Sequence, residues 1–241
     1  MRRIALRTRP AALIGAMLLV ALLVFLPMRL ALGWFGLGEH GLIARRVSGS
    51  IWGATLTEAR LGDLVLGDVS ARLAPLPLLV GRARVALAGP DPGGAAPLRA
   101  ALTVGRHVVG LDDATGTLPT GIIFAPLPVT TLALDDLTVR FRDGRCESAE
   151  GRVRAMLAGE AAGVPLPASV SGAARCERGA LLLPLASQAG TEAIALRVEG
   201  DGRYRAELTV RSTDSALATR LEGAGFTATG AGHRLSIEGR F

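Results

Sequence analysis

With 241 residues, 49% of them hydrophobic, the chain is long enough for one or two domains with a buried core, and a disordered chain is excluded. Aromatic residues make up only 4% against 31 glycines, so the apolar content is mainly Ala, Leu and Val and offers no stacking surface for single-stranded nucleic acid. The formal charge of +6 would fit a polyanion binder, but all 27 basic residues are Arg and five of them precede the first acid, Glu39; the remaining 22 balance 21 acids, which argues against a nucleic-acid face.

The five early arginines are Arg2, Arg3, Arg7, Arg9 and Arg29, and they frame an uncharged run from Ala11 to Met28. As a helix those residues span about 27 Å, close to the roughly 30 Å of a bilayer core. Leu30–Phe35 prolong the apolar stretch, Arg29 is able to snorkel, and Trp34 and Phe35 fall where an interfacial aromatic belt is expected. The positive-inside bias of Arg2, Arg3, Arg7 and Arg9 keeps residues 1–10 in the cytoplasm and sets 11–35 as a single transmembrane anchor. The competing reading is a cleaved signal peptide ending at Ala31-Leu32-Gly33; the length of the apolar run and the placement of Pro27 and Arg29 favour an uncleaved anchor.

After a glycine-rich collar at Gly33–Gly41 the hydrophobic period changes to two, and the exterior reads as strand and turn. Alternation marks Leu64–Leu73, Val80–Leu87, Ala101–Val109 and Leu137–Phe141, the last before Asp143-Gly144. Ile194, Leu196 and Val198 alternate with polar residues up to Gly200-Asp201-Gly202, and Tyr204, Ala206, Leu208 and Val210 alternate beyond it, which predicts a hairpin with one apolar face. One short helix is predicted over 214–222, capped by Thr213 or Asp214, with Leu217 and Leu221 on one face and Gly223 after it; Leu235 and Ile237 give a final strand. Proline- and glycine-rich breaks at 89–97 and 118–128 divide the exterior into parts 36–128 and 129–241, without a repeat array. The fold class is mainly antiparallel β behind one transmembrane helix.

Cys146 and Cys176 both lie in the exterior part, each in an Arg-Cys-Glu context. An even number of thiols in an oxidising compartment predicts a disulfide, and two buried free thiols are the alternative. His40, His107 and His233 have no metal-ligand spacing, no Gly-x-Ser-x-Gly elbow is present, and Asp112-Asp113 and Asp135-Asp136 read as solvated turns. No catalytic residue, metal or cofactor is expected. Trp52 is the only tryptophan outside the anchor zone and reads either as core of a first strand or as a partner-docking aromatic.

The segment Val47-Ser48-Gly49-Ser50-Ile51-Trp52-Gly53-Ala54, followed by Leu61-Gly62, Leu66-Gly67-Asp68-Val69 and Ala74-Pro75-Leu76-Pro77-Leu78-Leu79-Val80-Gly81-Arg82, resembles the start of the periplasmic region of type II secretion system protein N. The basic N-terminus, the single anchor, the two cysteines with Gly151 and Gly172 around them, and the ending Ala216–Phe226 with a last strand extend the resemblance over the chain. Ser70-Ala71-Arg72 departs from it, since that family often carries a second Trp there. The resemblance implies a non-enzymatic accessory subunit in the inner membrane, its β region periplasmic, whose partners are other type II secretion membrane subunits and the lipid bilayer. The β region is also similar to AsmA-like proteins, which implies a lipid ligand as a second possibility.

Overall fold

The computed structural model describes residues 42–240 except 62–63, 91–96, 122, 162–163 and 213, together with 14, 15 and 17. Arg2, Arg3, Arg7, Arg9, His40 and the anchor lie outside the described residues, apart from Ile14, Gly15 and Met17, which are helical. Among the described residues no helix is long and apolar enough to cross a membrane.

The chain runs through β1 (Leu42–Ile43), β2 (Arg46–Ser50), β3 (Gly53–Leu61), β4 (Leu64–Ala74), a one-turn helix α1 (Pro75–Leu78), β5 (Arg82–Ala88), β6 (Arg99–Gly105), β7 (Val108–Pro119) and β8 (Val129–Arg142). It continues through β9 (Arg145–Leu157), β10 (Glu160–Ala161), β11 (Val164–Pro165), β12 (Ser169–Ala173), β13 (Arg175–Glu177), β14 (Ala180–Ala186), β15 (Glu192–Val198) and β16 (Arg203–Val210). Helix α2 (Ser215–Gly223), β17 (Thr227–Thr229) and β18 (Gly232–Arg240) follow. Apart from the small β10–β11 hairpin the strands form one antiparallel sheet, in which β3 to β9 pair in chain order and β12, β14, β15, β16 and β18 carry it on. The proline-rich stretch 119–128 does not interrupt it, because β7 and β8 pair from Val108↔Arg142 to Pro119↔Thr131.

Local chemistry explains several elements. Asp143 and Gly144 both have positive φ, as a two-residue hairpin turn between β8 and β9 requires. The β15–β16 hairpin takes the register Val198↔Tyr204 and Ile194↔Leu208, with Ile194, Leu196, Ala206 and Leu208 buried on one face. Asp214 caps α2 by accepting the Ala216 N–H at 2.8 Å, and Leu221 is fully buried under it.

The paired acids do not form solvated turns. Asp112-Asp113 and Asp135-Asp136 lie inside β7 and β8 at β-bulges, where two residues oppose one and strict alternation of faces fails. Asp113 and Asp136 adopt φ of 51° and 48°, a left-handed conformation that Asp tolerates better than most residues. Glu58 does the same in β3, its N–H donated to Asp68 Oδ1 at 2.9 Å, while the Asp113 N–H is donated to Thr138 Oγ1 at 3.1 Å. After each bulge a buried residue returns to the apolar face: Ala59, Ala114 and Leu137. Asp112 is itself buried, accepting from Thr103 Oγ1 at 2.7 Å beside the Arg84 and Arg140 guanidiniums. Opposite Asp136, a Cβ on Gly151 (φ 102°) would lie 2.4 Å from the Asp136 carbonyl oxygen, so glycine is required there.

The sheet thus has an apolar face and a charged one. The main core joins β7–β9 to β12–β16, α2 and the 120–128 segment, and a smaller cluster of Leu56, Ala59, Val69 and Ala71 sits on β3 and β4.

Candidate interaction surfaces

Cys146 is the second residue of β9 and Cys176 lies in β13, and the two are disulfide-bonded with Cα atoms 5.5 Å apart. The Cys146 N–H also donates to the Gly179 carbonyl at 2.8 Å, so the bond pins the β8–β9 hairpin to the β13–β14 hairpin. Its role is to brace the sheet. Trp52 sits with Ile51 in the turn joining β2 to β3, half-buried, rather than inside a strand.

The apolar face is filled in one half of the sheet and open in another. Over β8, β9 and β14–β16 it is covered by the 120–128 segment, whose Phe124 and Leu127 are buried. The Phe124 ring meets Tyr204 edge-on at 5.6 Å, and Tyr204 donates its hydroxyl to the Ile123 carbonyl at 2.5 Å. The cavity remaining between Phe124, Leu127 and the sheet is about 10 Å³, room for about one water molecule at most. An acyl chain does not fit there.

Over β5–β7 no described segment covers the face in the same way. Val104 and Val109 are directly paired across β6 and β7 and are half exposed, and Leu102, one row further in, is 38% exposed. At the same end of the sheet α1 and the residues after it present Leu76, Leu79 and Val80 at 75%, 83% and 72% exposure. With Leu78, these are seven of the ten large apolar side chains exposed among the described residues. Helix α1 begins at Pro75, which suits a first turn, and no residue in it is buried.

Charge is also segregated. From Val69 to Leu111 the sequence holds Arg72, Arg82, Arg84, Arg99 and Arg106 against one acid, Asp91. Arg84 reaches Asp112 and Asp113, whereas Arg72, Arg82 and Arg106 have no acidic partner among the described residues. The nearby turn acid Asp143 is bonded to His107 Nδ1 at 2.8 Å, and Glu147 is bonded to Arg142 Nε at 3.0 Å. His233 stands apart from this end, 3.6 Å from Glu222, and no cluster of three or more metal-ligating side chains occurs among the described residues.

Sequence reasoning passed over the apolar tip. Its signal in the sequence is the run Leu76-Pro77-Leu78-Leu79-Val80 bracketed by Pro75 and Arg82, too short and proline-broken to bury an apolar face.

In comparison with known proteins, no curated protein and no solved structure matches the chain. The family described as type II secretion system (T2SS), protein N matches residues 40–235, which take in β1 to β17, α1, α2 and the open apolar end. The chain therefore belongs to the type II secretion system protein N family.

Proposed function

We propose that this chain is a bitopic inner-membrane accessory subunit of a type II secretion system, with residues 1–10 cytoplasmic, 11–35 as an uncleaved anchor and the β sheet periplasmic. It performs no chemistry of its own and works by contacting other membrane subunits of the machine. The family match over residues 40–235 carries this reading. The charge asymmetry and apolar run of the first 35 residues support its anchored topology. The filling of the main core by Phe124, Leu127 and Leu221 gives the lipid-handling alternative no support.

The test is deletion of the gene in its own host, with secreted proteins and outer-membrane lipids compared before and after. Reduced secretion with unchanged lipids is expected, and unchanged secretion with altered lipid asymmetry would reject the proposal. Topology is read separately from a C-terminal alkaline phosphatase fusion, expected to be active, and from the N-terminal sequence of the mature protein, expected at or near Met1. A mature chain starting near residue 34 would show cleavage.

A further inference from the structure

The chain enters the sheet at Leu42, which pairs with Leu61 at the end of β3. From there β4 runs 11 residues, so α1 lies at the far end of the strand, about 33 Å away. At that end Arg82 pairs with Gly105 and packs against it, the would-be Cβ of Gly105 lying 3.5 Å from Arg82 Cγ. The β6–β7 turn with Arg106 is therefore beside the α1–β5 junction. This end of the sheet thus carries Leu76, Leu79 and Val80, all more than 70% exposed, with Arg82 and Arg106 beside them and Arg72 further back on β4.

We propose that this end of the sheet is a membrane-inserting tip: Leu76, Leu79 and Val80 enter the interface of a bilayer while Arg82 and Arg106 bind the phosphates of anionic lipids. The apolar residues stand more than 70% exposed on α1, in which no residue is buried, and on the turn after it, so they suit a soft apolar medium. Arg82 and Arg106 lie beside them in chain and register, where long side chains can reach headgroups when the tip is immersed, and no described acid neutralises them. A surface that only needed to stay soluble would not place three of its most exposed apolar side chains beside unpaired cations. The proposal rests on the anchored topology given above, which holds the domain at a membrane. Residues 36–41 reach about 20 Å when extended, enough for the strands to lie slanted and bring both Leu42 and the tip to one bilayer.

The test uses the full-length chain reconstituted in vesicles, with an environment-sensitive fluorophore on Leu79→Cys and, in separate preparations, on Val20→Cys in the anchor or Gln188→Cys in the exposed β14–β15 turn. The native cysteines are bonded to each other and do not compete for label. Vesicles of phosphatidylethanolamine with 30% phosphatidylglycerol are compared with pure phosphatidylcholine, each with and without nitroxide-bearing lipid as quencher. The expected result is quenching at residue 20 in both vesicles, none at 188, and quenching at 79 that is strong in the anionic vesicles and weak in the neutral ones. At about fivefold per arginine, Arg82→Glu with Arg106→Glu lowers the embedded-to-aqueous ratio at 79 by at least 25-fold. An aqueous label at 79 with an embedded one at 20 overturns the tip and leaves the anchor standing, whereas an aqueous label at 20 overturns the anchor. A label at 79 that stays aqueous on vesicles and is shielded only on adding other secretion subunits overturns the proposal in favour of protein docking.

Discussion

Truncating Phe124 to alanine tests whether the interior of the sheet is a packed core. The ring is 4% exposed, lies edge-on to Tyr204, and closes a cavity of only about 10 Å³ against Leu127 and the sheet. Loss of a ring so enclosed costs about 3–5 kcal/mol, from lost transfer energy and from the void left behind. For a folded region of about 200 residues, in which 1 kcal/mol shifts Tm by about 2–4 °C, the variant should melt roughly 6–20 °C below the parent. The measurement is thermal unfolding of the full-length protein in detergent, followed by the β signal in circular dichroism, with Phe124→Leu expected to fall between the two. A drop of less than about 2 °C would refute the packing argument. Parent-like melting combined with uptake of an apolar dye would go further, showing that the segment 120–128 is a removable cover over a ligand space.

Removing the disulfide by Cys146→Ser with Cys176→Ser should cost about 3–4 kcal/mol, because the bond closes a loop of about 31 residues; unfolding in urea with and without reductant measures it, and thiols labelled in unreduced, denatured protein would contradict it. Gly151→Ala should destabilise by at least about 2 kcal/mol, since its Cβ would press on the Asp136 carbonyl at a φ of 102°; wild-type stability would mean that the bulge is absent. Asp201 is held below the usual carboxylate range by the hydrogen bond from the Arg203 N–H and by the Arg203 charge. Its folded pKa is depressed, so the stabilisation is present above the ordinary carboxylate pKa and fades as pH falls through the lowered value. The carboxylate is on the surface and open to solvent, so Asp201→Asn should leave Tm at pH 7 almost unchanged and flatten the acid limb only slightly; a large loss at pH 7 would contradict that placement.

Local chemistry made part of this molecule legible from its residues. The hairpin around Gly200-Asp201-Gly202, the turn at Asp143-Gly144 and the cap at Asp214 are each decided by a few neighbours, and sequence and structure agree on them. The bulges were not legible, because Asp112-Asp113 becomes a strand feature only when Thr103, Arg84 and Thr138 arrive from other strands to pair with it. The same holds for surfaces. Val80–Leu87 alternates as a strand should, but that Leu76, Leu79 and Val80 stay uncovered depends on where the 120–128 segment lies, and it packs on the other half of the sheet. Trp52 shows the limit most directly: its neighbours Ile51 and Leu56 favour a strand core, whereas the chain reverses at Ile51-Trp52 and leaves the ring half-buried in a turn.

The order of the strands bears on how such a chain acquires its structure. From β3 to β9 every strand pairs with the one just before it, and the sheet needs no late partner to close a gap in the middle. Contact order is kept low for a β protein, since the loop entropy of each pairing is only that of one hairpin. A chain delivered N-terminus first can therefore zip as it emerges, each new strand finding its template already formed. The exception is at the end: β17 pairs only with β18, and β18 completes the sheet against β16 across the intervening α2. That final docking covers the last exposed edge of β16, so the growing sheet carries a live, extendable margin until the C-terminal strand has arrived.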